Sequence, residues 1–340
     1  MNALEWNRDL TRPLREIRDR EAGMTDKPDR GRGTVSLPEL RRGNIGLVVA
    51  TQIARYSKPT HPLAGWHSPR QAWAMTQGQL EWYRAMEEAG EMAPIRDGAQ
   101  LEAHIARGDG APDSPIGYIL SLEGADSIIS FDHLERLAQQ GLRAIGPAHY
   151  GQGVYAFGTN ASGGFPPRGR ELLRHIERLG LILDVTHLCD ECFWEALDAF
   201  GGALWASHQN ARALVPNVRQ FSDEQIKAVI ARGGVLGVAL DAWMLAPGWI
   251  RGKTTPQSAG VTLAQVADHI DHICQLAGDA RHVGIGSDLD GGFGTEQSPV
   301  ERISDLQQLP ALLKTRGYGE ADIAVILHGN FLAFLRRVWP

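Results

Sequence analysis

The chain is poor in the features that mark membrane, secreted and nucleic-acid-binding proteins. No run of 18 apolar residues occurs among its 340 residues, so no helical membrane span is expected. The start, Met1-Asn2-Ala3-Leu4-Glu5-Trp6, has no basic stretch leading into an apolar core, and no signal peptide is expected. The last residues, Phe334 to Pro340, do not form a lipid-anchor tail. Positive charge is in deficit: the net charge is −6, which gives no electrostatic reason to expect a nucleic-acid partner. Cysteine is scarce. Three residues make a disulfide framework unexpected and suit a reducing compartment, so a cytoplasmic location is expected. Cys189 and Cys192 form a lone Cys-x-x-Cys; without a second pair they read as two small residues at a helix start.

What is present is a repeated pattern. Tyr118 to Leu122 runs into Glu123, Leu142 to Ala148 into His149, Leu181 to Thr186 into His187, and Ala203 to Ser207 into His208. His282 to Ser287 runs into Asp288. A short continuous apolar run reads as a strand buried on both faces of a parallel sheet. Metal-binding or proton-moving side chains at the C-terminal ends of such strands lie where barrel enzymes place their chemistry. The pattern points to metal-dependent hydrolysis.

Organisation supports it. Seven strands are expected, starting at 45, 117, 142, 181, 203, 234 and 282, alternating with helical stretches at about 131–140, 170–179, 190–199, 222–232 and 262–277. Residues 70–106 read as mostly helical, and helices fill 304–338. The charge-dense residues 7–43 read as an exposed connection with a short helix near Arg12 to Glu21, their charges forming a solvated face. Alternation of strand and helix implies βαβ units. The expected fold class is an α/β, TIM-like (β/α)8 metal-dependent hydrolase barrel with its first strand missing, since closure needs eight strands. With no compositional break, residues 1–340 are expected to form one domain.

Two histidines and a carboxylate make a common zinc set, which selects Glu123, His187 and His208. A polar group ending a buried strand is costly unless it has a partner, which separates His187 and His208 from the histidines on helices. Asp288, in Gly284-Ile285-Gly286-Ser287-Asp288-Leu289-Asp290-Gly291-Gly292, suits a general base facing an activated water. The calcium-loop reading of Asp288-x-Asp290-Gly291 fails on the spacing of the remaining ligands. Asp290 is open between capping its own turn and a direct role.

Ser121-Leu122-Glu123-Gly124, Leu183-Asp184-Val185-Thr186-His187, Trp205-Ala206-Ser207-His208 and Gly286-Ser287-Asp288-Leu289-Asp290-Gly291 together resemble the membrane (renal-type) dipeptidases, metallopeptidase family M19 of the amidohydrolase superfamily. The resemblance runs in order from about residue 35 to the C-terminus. It implies a distorted (β/α)8 barrel with two zinc ions, Glu123 bridging them and His187 and His208 binding the second. It implies further that His149 polarises the substrate carbonyl, that Arg219 pairs with the substrate carboxylate, and that Asp288 shuttles the proton. The implied activity is zinc-dependent hydrolysis of the amide bond of small dipeptides by metal-activated hydroxide, in a homodimer.

Members of that family open with a strand ending in His-x-Asp, which completes the first metal site. The opening here, Met1 to Thr11, resembles the segment just after that strand in bacterial members, and neither His61 nor His67 precedes an x-Asp on an apolar run. One zinc is therefore expected to be held where the family holds two. Two other readings stay open on the residues: lactone or phosphoester hydrolysis on the same kind of barrel, and a catalytically impaired barrel lacking the first metal site.

Overall fold

The computed structural model describes residues 2–57, 64–107 and 114–339; His61 falls outside them. The chain divides into two compact units, one of Leu47–His104 and Gly117–Ala206, the other of Asn2–Gly46, Ile105–Ile116 and Ser207–Pro340.

The first unit carries a sheet of six strands in the order β1 (Leu47–Gln52), β3 (Ile116–Glu123), β4 (Leu142–Gly146), β5 (Ile182–Asp184), β6 (Leu204–Trp205), with β2 (Met92–Pro94) pairing β3 off that path. The pairs β1–β3, β3–β4, β4–β5 and β5–β6 are all parallel. Strand β3 is buried along its whole length up to Glu123, as a strand with a neighbour on each edge and helices nearby requires. The helices Phe131–Gln139, Pro167–Arg178 and Asp190–Ala199 separate successive strands of this sheet. In Pro167–Arg178 the buried face is Leu172, Leu173 and Ile176, spaced as one stripe of a helix.

The second unit holds a parallel pair, β7 (Leu236–Val238) and β8 (Val283–Ile285), with Leu236 opposite Val283, Gly237 opposite Gly284 and Val238 opposite Ile285. Between them runs the helix Leu263–Ala277. Thr262 caps it, its hydroxyl accepting from the Ala264 N–H, and Val266, Ile270 and Ile273 lie fully buried one turn apart. Each such side chain contributes about 1.5–3 kcal/mol of burial.

Two sequence expectations are corrected. There are eight strands among the described residues, not seven: β2 interrupts the stretch read as helical, between the helices Pro69–Glu88 and Gly98–Ala106. Three residues, one of them Pro94, carry no readable period, which is why no strand is legible within a stretch that is otherwise mostly helical. The second correction is larger. The charged segment 7–43 is a solvated face only in part: Arg12, Arg15, Glu16, Asp19 and Arg20 are exposed, but Arg8, Glu21, Asp29 and Glu39 are buried. Arg8 Nε and Nη2 donate to the two oxygens of Glu21 at 2.8 and 3.1 Å, and Nη2 also reaches Asp29 Oδ2 at 3.1 Å. Opposite charges spaced 13 and 21 residues apart pair across the fold, and a count of charge along the chain cannot see that pairing.

Candidate functional site

In the first unit, Glu123 is the last residue of β3 and stands in register with Gly146, the last residue of β4. His149 comes three residues after Gly146, and His187 three residues after the end of β5. The sheet thus delivers one carboxylate and two imidazoles from three adjacent strands. Glu123 Oε1 lies 3.1 Å from His187 Nε2 and 3.8 Å from His149 Nε2, and the two imidazole rings are 4.5 Å apart.

The other nitrogen of each ring is also fixed. His187 Nδ1 lies 3.0 Å from the Thr159 hydroxyl, and His149 Nδ1 meets the guanidinium of Arg55. A guanidinium has only donors, so His149 Nδ1 accepts and the ring proton sits on Nε2. The Thr159 hydroxyl pairs with Nδ1 of His187 in either tautomer and so holds the ring with Nε2 on the side of Glu123. His187 is buried and has φ of +69°, a left-handed backbone that a residue bearing a Cβ adopts at a cost, and one that recurs where side chains are aimed for function.

The glycine-rich loop after His149 is what brings Thr159 there. Thr159 N donates to the His149 carbonyl at 2.9 Å and Gly151 N to the Thr159 carbonyl at 2.8 Å. A Cβ at Gly158 would come within 1.9 Å of the His149 oxygen, so only glycine allows this approach. Tyr150 packs edge-on against both imidazoles, 4.9 Å from His149 and 5.1 Å from His187.

His208, Arg219 and Asp288 belong to the second unit. His208 Nδ1 lies 2.9 Å from the Ser207 hydroxyl. Arg219 is buried, with Nη1 donating to Gln209 Oε1 at 2.5 Å and Nη2 to the His208 carbonyl at 3.0 Å. These two bonds hold the plane of its guanidinium. Asp288 lies three residues beyond β8, with φ of +59°. The glycines after it serve Asp288 itself: a Cβ at Gly291 would lie 2.1 Å from Asp288 Oδ1.

Asp290 binds a segment distant in sequence rather than capping its own turn. Its Oδ1 accepts from the Thr34 N–H and hydroxyl at 2.7 and 2.8 Å, and its Oδ2 from the Val35 N–H at 3.3 Å. Cys189 and Cys192 are free thiols, both donating to the Gly163 carbonyl, at 3.3 and 3.2 Å, in a packing role at the start of Asp190–Ala199.

Four residues of these clusters escape a reading of the sequence. Arg55, Thr159 and Tyr150 have no local signature. Asp241 has one: the apolar run Val235 to Leu240 ends on it, the same pattern that marks Glu123, His149, His187, His208 and Asp288.

The model of the membrane dipeptidase family, peptidase family M19, matches residues 6–339. An uncharacterized protein in the pqqA 5′ region of Klebsiella pneumoniae is 29% identical over 244 residues, covering 67% of this chain and 84% of that protein. Dipeptidase tcpJ of Claviceps purpurea is 27% identical over 230 residues, which span 65% of this chain and 52% of its own length. Among solved structures, a dipeptidase AC described as a metallopeptidase of family M19 superposes with a TM-score of 0.78 at 25% identity, over 98% of this chain and 96% of that one. A metallopeptidase from Rhodobacter sphaeroides, liganded with a phosphinate mimic of the dipeptide L-Ala-D-Ala, gives 0.77 at 24% identity over 98% and 97%. The TIM-like α/β fold expected from the sequence is therefore the fold of this chain. The chain belongs to the membrane dipeptidase family, peptidase family M19, a family of metal-dependent dipeptidases.

Proposed function

We propose that this protein is a zinc-dependent dipeptidase that cleaves the amide bond of small dipeptides such as L-Ala-D-Ala. The observation that carries the reading is the Glu123–His187 contact at 3.1 Å, with His187 oriented from behind by Thr159. A carboxylate and an imidazole whose far nitrogen is hydrogen-bonded fit the donor set of a catalytic zinc. Glu123, His187 and His208 are the residues proposed to hold it. When bound, zinc supplies Lewis acidity and lowers the pKa of water toward neutrality.

The chain's own residues do the rest. His149, with its proton on Nε2, donates to the substrate carbonyl oxygen as charge develops there. Arg55 is a positioning residue that selects this tautomer. Asp288 accepts the proton of the attacking water and returns it to the leaving amine. Arg219 offers a planar, permanently charged fork to the free carboxylate of the substrate. Lactone and phosphoester hydrolysis and a non-catalytic barrel are not favoured, because the named relatives are dipeptidases and metallopeptidases. A cytoplasmic location belongs to the same proposal, supported by three buried free thiols. No described helix is long and apolar enough to cross a membrane. A homodimer is proposed on the family resemblance.

Arg219 provides the test. Arg219→Met is expected to raise KM for a dipeptide about 10- to 100-fold, the worth of a hydrogen-bonded charge. An unchanged KM would remove the dipeptide reading.

A further inference from the structure

The β7–β8 pair of the second unit ends in two carboxylates side by side. Val238 and Ile285 face each other in the ladder, and Asp241 and Asp288 each lie three residues beyond their member of that pair. The pairing continues past the strands, with Gly286 N donating to the Val238 carbonyl at 3.0 Å and Leu240 N to the Ser287 carbonyl at 2.8 Å. The register therefore carries Asp241 to the position beside Asp288. Asp241 is 5% exposed. Trp243 Nε1 donates to its Oδ2 at 2.5 Å and the Gln297 side chain lies close enough to favour the carboxylate, yet Oδ1 has no partner in hydrogen-bond geometry among the described residues. A buried carboxylate oxygen without a donor costs free energy unless a water, an ion or a ligand donor satisfies it.

We propose that Asp241 binds the protonated amino group of the dipeptide substrate, so that the enzyme requires a free N-terminal ammonium. This rests on the dipeptidase reading, in which Asp288 handles the proton passed to the scissile nitrogen. In a dipeptide the N-terminal amine is two bonds from the scissile carbon, so a carboxylate one strand away from Asp288 is placed for that amine. Trp243 fixes one oxygen of Asp241 and leaves the other for an ammonium donor.

The chemistry favours an ammonium over a second metal. Among the described residues, Asp241 is not part of a group of three or more His, Cys, Asp or Glu side chains close enough together to hold a metal ion. The groups that act on Asp241 are Asp288, Arg251, Trp243 and Gln297. Burial pushes its carboxyl up, to about 7, and the Asp288 charge adds to the rise, while Arg251, Trp243 and Gln297 oppose it. An ammonium seated between the two acids would relieve both effects.

The test compares L-Ala-D-Ala with its des-amino analogue, propionyl-D-Ala, on the zinc-loaded enzyme. The wild type is expected to favour the dipeptide in kcat/KM by about 10- to 100-fold. In Asp241→Asn that preference should collapse to within a few fold, through KM for the dipeptide and not through kcat. Asp241→Glu keeps the charge and should recover part of the preference, and Trp243→Phe, which loosens Oδ2, should reduce it only partly. Circular dichroism and melting of each variant separate loss of binding from loss of fold. If Asp241→Asn keeps the full preference, the Asp241 assignment falls and the dipeptidase reading stands. A second zinc lost on Asp241→Asn with the preference intact would make the pair a metal site and likewise overturn the proposal. If the wild type cleaves neither compound, both readings fall together.

Discussion

Two clusters in the second unit bury acidic side chains, and they treat the charge in opposite ways. Around Arg8 the charge of Glu21 is compensated: it accepts from Arg8, from Arg30 and from the Gly31 N–H, and Arg8 also reaches Asp29 and Asp290, although burial still raises the Asp290 carboxyl. Burial opposes ionisation of Glu21, but Arg8, the Gly31 N–H and Arg30 outweigh it and hold its carboxyl below the usual range. At the end of β7 the balance falls the other way for Asp241, whose partners Arg251, Trp243 and Gln297 do not offset its burial. Burial and the neighbouring Asp288 raise Asp241 to about 7, and one of its oxygens has no partner in hydrogen-bond geometry among the described residues. The first arrangement makes a structural joint. The second gives up stability for a site poised to receive a cation or a proton.

The contrast is best broken at Arg8. Arg8→Met would leave Asp29 buried without its arginine and Glu21 with Arg30 alone, and a loss of about 3–5 kcal/mol in urea unfolding at pH 7 is expected. A loss under about 1 kcal/mol, the worth of an exposed pair, would mean that the cluster is not a joint.

Asp241→Asn should act in the other direction. The folded pKa of Asp241 is raised to about 7 from 3.8. The folded state therefore holds this proton over a window in which the unfolded chain has lost it. Its contribution to stability is fully present below about pH 4 and is lost as pH rises through 7. The variant should match the wild type near pH 4 and exceed it increasingly up to pH 7, by at most about 1.4 kcal/mol per pH unit, with no further gain above. Glu21 carries the opposite sign: its depressed pKa contributes stability at neutral pH that is lost in acid. Unfolding curves of Asp241→Asn should part from the wild type between about pH 4 and 7, whereas those of Arg8→Met should close on it below about pH 4.5, where Glu21 takes up its proton; changes confined to the same pH range would refute the distinction.

Smaller effects set the scale. Thr34→Val removes the 2.8 Å hydroxyl donor to the buried Asp290 and should cost about 1.5–3 kcal/mol. Thr262→Ala, at an exposed helix cap remote in sequence from both clusters, should cost about 1 kcal/mol. If the Thr34 variant costs no more than the cap variant, Asp290 is not held by a charged hydrogen bond.

The same contrast explains what the sequence makes legible. Strand-end residues are readable because a continuous apolar run that stops on Glu123, His149, His187, His208 or Asp288 has few structural explanations. Asp241 obeys the same rule at the end of Val235 to Leu240, but it lies outside the motifs that carry the family resemblance. The Arg8 cluster is not readable. Its partners are set by where the chain returns in space, so charges that pair across 13 or 282 residues look the same in sequence as charges facing water. Arg55 and Thr159 are hidden for the same reason: each acts on an imidazole delivered by another element. Short β2, with Pro94 among its three residues, is strand only because β3 offers it an edge.

A metal held in part by Glu123 and His187 is the centre of the proposed chemistry. The most direct measurement is the rate of L-Ala-D-Ala hydrolysis by the intact protein before chelation, after metal stripping, and after zinc is restored. The predicted result is activity that falls to background on stripping and returns with zinc, and no return in His187→Ala. Hydrolysis that survives stripping, or that returns equally in His187→Ala, would contradict it.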